Sequence, residues 1–116
     1  MALVTTKKMF ENAYKGQYSI GAFNVDTFET FQAVIEAAKL EKSPVIIQIT
    51  ENVIKYIGPK YLMMMAKIAG EEEGVEIALH LDHGKTVDVC KYCVDLGFTS
   101  VMIDASAYDF ETNIKM

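Results

Sequence analysis

Residues 77–82, Ile77-Ala78-Leu79-His80-Leu81-Asp82, have the pattern of a β-strand with two unlike faces. Alternate residues of a strand point to opposite sides, so Ile77, Leu79 and Leu81 share an apolar face while His80 and Asp82 share the other. The same division runs through three more apolar runs. Odd positions Phe23 and Val25, then Val45, Ile47 and Ile49, then Val101 and Ile103 are large and apolar. The even positions near the C-terminal ends are Asn24, then Gln48 and Thr50, then Asp104. Four parallel strands of this kind bury one face under helices and direct polar groups from their C-terminal ends into one shared space, where α/β folds place their sites. A doubly wound sheet wants apolar residues at both parities, whereas a barrel interior turns polar toward its mouth; a β/α barrel is therefore the expected architecture.

The segments between the strands have helical period. A leading helix is expected over Thr6 to Tyr14, with Met9, Phe10 and Ala13 on one face. After a strand at Ile20 to Val25, Asp26 is expected to cap a helix whose apolar face is Phe28, Phe31, Val34, Ile35 and Ala38, with Glu29 placed for a capping box. Strand Val45 to Thr50, helix Lys60 to Glu73, strand Ile77 to Asp82, helix Thr86 to Leu96 and strand Ser100 to Asp104 follow, and a last helix begins near Phe110. The strand ends at 24, 50, 82 and 104 lie about 27 residues apart, so eight units need more than about 200 residues and a complete barrel about 250. The 116 residues thus correspond to about four β/α units, the N-terminal half of one (β/α)8 domain spanning 1–116 with the C-terminal half absent. Such a half leaves two strand edges unpaired and its apolar lower interior exposed, so a homo-oligomer is expected.

Composition excludes several classes. With 51% hydrophobic residues the chain is not disordered, and no apolar stretch approaches the roughly 18 residues of a membrane span. The start, MALVTTKKMF, has no hydrophobic core of a secretory signal, so a cytoplasmic setting is expected. The 11 basic residues against 16 acidic ones are all lysine. Without arginine, the usual reader of phosphate and base edges, no nucleic-acid partner is expected.

Chemistry concentrates in His80-Leu81-Asp82-His83-Gly84, which holds both histidines of the protein. The segment suits a metal site with a general acid/base, since neutral imidazole suits zinc and a carboxylate beside a cation can exchange a proton with substrate. A buried structural histidine and a helix-capping Asp give the same pattern. His83 lies just past the expected strand, where a turn at Gly84 can swing it toward the mouth. Asp104, Ser106 and Asn24 stand at neighbouring strand ends and suit a second cation, substrate hydroxyls or simple turns. Cys90 and Cys93 have C-x-x-C spacing but sit inside a helix beside Val87 and Val94, which points to core packing. Met63, Met64 and Met65 fit helix and core filling, and Glu71-Glu72-Glu73 a solvated helix end.

Four ordered motifs, YSIGAFNV (18–25), KSPVIIQIT with NVIKYIG (42–58), IALHLDHG (77–84) and LGFTSVMIDAS (96–106), resemble the zinc-dependent class II fructose-bisphosphate and tagatose-bisphosphate aldolases over nearly the whole chain. The resemblance implies a TIM-barrel lyase that splits a ketose 1,6-bisphosphate, in glycolysis and gluconeogenesis, into dihydroxyacetone phosphate and an aldehyde, glyceraldehyde 3-phosphate, and runs the reverse condensation. It implies Asp82 as proton donor to the aldehyde oxygen and His83 as a ligand of catalytic Zn2+. It further implies Asp104 near a secondary metal position and Asn24 and Thr50 in the substrate pocket, with His80 orienting its neighbours. Thr50 stands where the family usually has Ser, and Ala107-Tyr108-Asp109 replaces a common His-rich loop. The other zinc ligands and the phosphate loops of the family have no counterpart in these residues, so the isolated chain is expected to be inactive. A non-catalytic, self-assembling half-barrel is the alternative, as is a tagatose-bisphosphate substrate.

Overall fold

In the computed structural model, which describes residues 3–116, the elements in chain order are α1 (Thr6–Gly16), β1 (Ala22–Asn24), α2 (Phe28–Glu41), β2 (Val45–Ile49), α3 (Glu51–Ile57), α4 (Pro59–Glu71), β3 (Ile77–Gly84), α5 (Val87–Leu96), β4 (Ser100–Ile103) and α6 (Phe110–Lys115). The strands form one parallel sheet in the order β1-β2-β3-β4. Spatial order equals chain order, so the sheet has no switch point at which a doubly wound fold would reverse direction. The fold is α/β, a partial β/α barrel of four units with a leading helix, as the strand parity implies.

Two apolar clusters hold it. The larger lies between the odd face of the sheet and the helices: Val45, Ile47, Ile49, Ile77, Leu79 and Leu81 are buried against Phe31 and Ile35 of α2, Leu62, Ala66 and Ala69 of α4 and Cys93 of α5. Cys93 is fully enclosed, so the C-x-x-C spacing serves packing; both thiols are free, and burial pushes Cys93 up to about 11. The smaller cluster lies on the opposite, inner face, where Met9 of α1 packs on Ile46 and Ala78 with Val4 and Ile20 beside it. A backbone bond from Val4 N–H to the Ile77 carbonyl, 2.9 Å, ties the lead-in of α1 to β3. The leading helix therefore covers part of the lower interior that the sequence pattern leaves open. Among the described residues no helix is long and apolar enough to cross a membrane.

Several sequence expectations change. Asp26 does not cap α2; Thr27 does, its hydroxyl accepting from Thr30 N–H while the Thr30 hydroxyl accepts from Thr27 N–H, so Glu29 has no part in the capping box. The helix expected from Lys60 is preceded by a separate one, α3, split from α4 by Gly58 at φ 93 and Pro59. Seven residues are too few to form a stable helix by propensity alone; α3 persists because Ile54 is buried in the core. Phe10, Phe23 and Phe28 are each more than half exposed, and Val101 and Ile103 are over a third exposed. The β1 and β4 residues among them keep the apolar parity but stand on the two outer strands, each paired on one side only among the described residues. Met64 is exposed, while Met63 and Met65 pack against the core. The acidic helix end is partly engaged, Glu73 pairing with Lys39 across α4 and α2.

Leu79→Ala, at a fully enclosed position, is expected to destabilise the protein by about 2–5 kcal/mol, and Met64→Ala by less than about 0.5 kcal/mol. Urea unfolding of the two variants checks this; equal losses would show that the sheet–helix interface is not the principal core.

A candidate catalytic site at the C-terminal ends of the strands

β3 is longer than its alternation suggests. It runs to Gly84, but its register with β4 shifts: Leu81 lies opposite Val101 and Gly84 opposite Ile103. Asp82 and His83 therefore share one partner, Met102, which makes a β-bulge. His83 takes the left-handed conformation, φ 56, which costs a non-glycine residue about 1–3 kcal/mol and is tolerated where the surroundings over-determine it. The bulge sets aside the expected mechanism, a turn at Gly84. Gly84 has no positive φ; it is needed for room, since a Cβ there would come within 2.7 Å of Leu81, 2.9 Å of Cys90 Sγ and 3.1 Å of the Met102 carbonyl oxygen. By adding one residue, the bulge brings odd-numbered His83 to the side already occupied by even-numbered Asp82 and Asp104.

Asp82 is approached from β1 and β2. Gln48 Nε2 donates to Asn24 Oδ1 at 3.0 Å, and Asn24 Nδ2 donates to Asp82 Oδ2 at 3.3 Å. The register places Asn24 beside Gln48 and Gln48 beside His80, so this relay runs straight across the strand ends. Its direction is set by chemistry: an ionised carboxylate only accepts, so Asn24 turns its amide nitrogen to Asp82 and its oxygen to Gln48. Gln48 was not expected as a site residue. Its one signal is that it is polar at an even position inside a β-branched run.

His83 is held from β4. Its Nδ1–H donates to Asp104 Oδ2 at 2.7 Å, and its Nε2 lies 3.6 Å from Asp82 Oδ1. Asp104 Oδ1 accepts from Ser106 N–H at 3.0 Å. Hydrogen bonds from Ser106 first, and then from His83, hold the Asp104 carboxyl well below the usual carboxylate range. That acceptor fixes the imidazole tautomer: Nδ1 carries the proton, and in the neutral ring Nε2 is left with a free lone pair. The Asp104 bond, and then the charge of Asp82, raises the His83 pKa above its ordinary 6.5.

His80 behaves differently. It lies half-buried, with Nδ1 2.7 Å from Ser100 Oγ, and desolvation lowers its pKa despite the nearby Asp82. It bonds to β4 rather than to Asp82 or His83. Thr50 sits at the start of α3, makes no side-chain cap bond and does not join the relay. Asp109, in the loop that departs from the resemblance, caps α6 through Thr112 N–H, 2.7 Å.

The donor set suits a cation in part. One imidazole nitrogen is oriented and free, and two carboxylates flank it, but no group of three ligating side chains converges among the described residues. A catalytic zinc takes three protein ligands. These residues thus fit one ligand position and do not by themselves complete a site.

Comparison with known proteins agrees with the motifs. The family model described as class-II fructose-bisphosphate aldolase matches residues 4–116. The whole chain aligns at 44% identity with a fructose-bisphosphate aldolase of Geobacillus stearothermophilus, covering 42% of that protein. It aligns at 40% identity with a 6-phospho-5-dehydro-2-deoxy-D-gluconate aldolase of Halalkalibacterium halodurans, covering 41% of it. The crystal structure of the YdjI aldolase from Escherichia coli K12 superimposes with a TM-score of 0.85 and 32% identity, over 97% of this chain and 44% of that one. The chain thus spans about two fifths of the length of the curated relatives it matches.

In the metal-free protein, His83 is expected to titrate above 6.5 and Asp104→Ala to bring its midpoint down toward that value, read by NMR. Because the native state holds the proton more tightly, the associated stabilisation is present below pH 6.5 and is lost as pH rises through the elevated midpoint. An unchanged midpoint in the variant would show that Asp104 does not govern the imidazole.

Proposed function

The chain belongs to the class-II fructose-bisphosphate aldolase family, and from that premise we propose that it supplies the proton-transfer carboxylate and one metal ligand of a zinc-dependent aldolase acting on a phosphorylated ketose. The observation that carries this reading is the bulge that sets Asp82 and His83 side by side, 3.6 Å from Oδ1 to Nε2, at the mouth of a partial barrel. In condensation, the Asp82 carboxyl gives its proton to the aldehyde oxygen as the carbon–carbon bond forms. In cleavage, the carboxylate takes the proton back from that hydroxyl as the same bond breaks. Asn24, itself held by Gln48, aims the Asp82 oxygens, so the proton is passed along one direction rather than from a freely turning side chain.

His83 Nε2 is the atom that would hold the metal, with Asp104 steadying the ring from behind. A zinc ion there supplies Lewis-acid stabilisation of the negative charge that develops on the ketone-side oxygens, without a lysine Schiff base. Asp104 is also proposed for the secondary metal position that the resemblance implies; in this structure its oxygens are engaged by His83 and Ser106. Thr50 and Asn24 are proposed to line the substrate pocket, and His80 to steady the inner wall through Ser100. The remaining zinc ligands and the phosphate-binding groups would come from the second half of a barrel.

One variant series tests the reading in the intact protein. Asp82→Asn is expected to lower turnover about 10²-fold or more with zinc content near normal, and His83→Ala to lose zinc on dialysis while His80→Ala keeps most of it. Near-normal turnover of Asp82→Asn, or equal metal loss from both histidine variants, would refute the assignments.

A self-assembling, non-catalytic half-barrel is favoured by one observation: β1 and β4 each bear an unpaired edge, flanked by exposed Phe23, Val101, Met102 and Ile103. Light scattering coupled to gel filtration, with an aldol-cleavage assay on the same fractions of this 116-residue chain, separates the two readings. The isolated chain is expected to be associated and inactive. A monodisperse monomer would refute self-assembly, and cleavage activity would refute the need for further ligands.

A further inference from the structure

We propose that Glu51 is a positioning residue for His83, holding the chain that leaves the strained β3 bulge in place from the neighbouring β/α unit. Glu51 opens α3, directly after Thr50, and its Oε2 accepts from Lys85 N–H at 3.1 Å, a bond between residues 34 apart in sequence. On the other side of the same segment, Asp104 N–H donates to the Gly84 carbonyl at 2.7 Å. The peptide from His83 to Lys85 is therefore clamped between β2–α3 and β4, with the left-handed His83 at its head.

Three observations make this bond more than a surface contact. Glu51 is only partly exposed and forms no ion pair among the described residues, so the Lys85 amide is its partner. A carboxylate accepting a backbone N–H makes a charge-assisted bond, and its place in the first turn of a helix favours the negative charge. The carboxylate also lies close enough to act on Cys90, the thiol against which Gly84 packs, whose pKa is raised first by burial and then by the Glu51 charge. Without the clamp, no hydrogen bond among the described residues ties residue 85 to the β2 side, and His83 can relax from its costly conformation, turning Nε2 away from Asp82.

The inference rests on the aldolase reading for what His83 binds, but the clamp itself does not. Three substitutions in the intact protein separate charge from reach. Glu51→Gln keeps the acceptor and the length; Glu51→Asp keeps the charge but falls one methylene short; Glu51→Ala removes both. Hydrogen exchange at the Lys85 amide and zinc retention against a chelator are read together. Glu51→Ala and Glu51→Asp are expected to lose Lys85 protection and to weaken zinc binding about 10-fold or more, the range seen when an outer-shell partner of a metal ligand is removed. Glu51→Gln, which keeps the reach but offers only a neutral acceptor, is expected to lose less than either in both readouts. The reverse pattern, with Asp near normal and Gln impaired, would replace positioning by a pure charge effect and overturn the proposal, as would unchanged zinc retention in Glu51→Asp once Lys85 protection is lost. Should Glu51→Ala fail to fold, the Gln and Asp pair still decides. Should the parent itself retain no zinc, the aldolase reading fails, while the Lys85 exchange pattern still decides whether Glu51 holds this segment.

Discussion

One extra residue in β3 sets the character of this protein. A parallel strand paired on both sides has little freedom, because each neighbour dictates register and each face must meet its own layer. Over Ile77 to Leu81 that constraint is obeyed in full. At Asp82 and His83 it is broken, with two residues set against Met102 alone. The break is tolerated because its surroundings hold it: Gly84 leaves room over Leu81 and Cys90, the Gly84 carbonyl is bonded to Asp104, and the Lys85 amide is bonded to Glu51. A bulge beside a site that re-aims a side chain is a recurrent use of this irregularity.

The rest of the fold gives that bulge a rigid base. Ile47, Ile49, Ile77, Leu79 and Leu81 are fully enclosed between the sheet and its helices. On the inner face, α1 sets Met9 against Ile46 and Ala78 below the polar level. Apolar contacts thus fill the N-terminal end of the inner face, and Gln48, Asn24, His80 and Asp82 occupy its C-terminal end. A polar group buried without a partner is costly, and here every fully buried side-chain polar atom among the described residues has one. The hydrogen bonds that satisfy these groups also aim them, so the interactions that keep the strand ends stable are those that orient the site.

The two ionisable centres differ in environment. His80 is desolvated and pushed toward neutrality, whereas His83 is open to solvent, bonded to a carboxylate and pushed the other way. Two histidines only three residues apart thus have distinct chemistry because one lies between strands and the other on a bulge. Asp104 contributes by being held ionised, through Ser106 and His83, which keeps it an acceptor and fixes the imidazole proton on Nδ1.

Much of this was legible in the residues. Period-two alternation exposed the strand faces, and polar even positions marked the C-terminal ends. Helical period located α1, α2, α4, α5 and α6, and the ordered motifs pointed to the aldolase family. Those signals are local, repeated along the chain and tied to backbone geometry. Other features depend on partners distant in sequence. Thr27 rather than Asp26 caps α2 because of where Thr30 falls once the helix starts. The short α3 exists because Ile54 finds a core to enter. Phe23, Val101 and Ile103 carry the apolar pattern of covered strands, yet lie at margins that only the strand order reveals. The Gln48–Asn24–Asp82 relay and the Glu51–Lys85 clamp join residues 24 to 58 positions apart. By itself the sequence determined which side chains carry chemistry and which strand ends they occupy, because alternation is a property of each strand alone. Only the tertiary structure decided that His83 joins Asp82 and Asp104 on one side, because a bulge is defined by register against a neighbouring strand and a single chain segment carries no record of its partner.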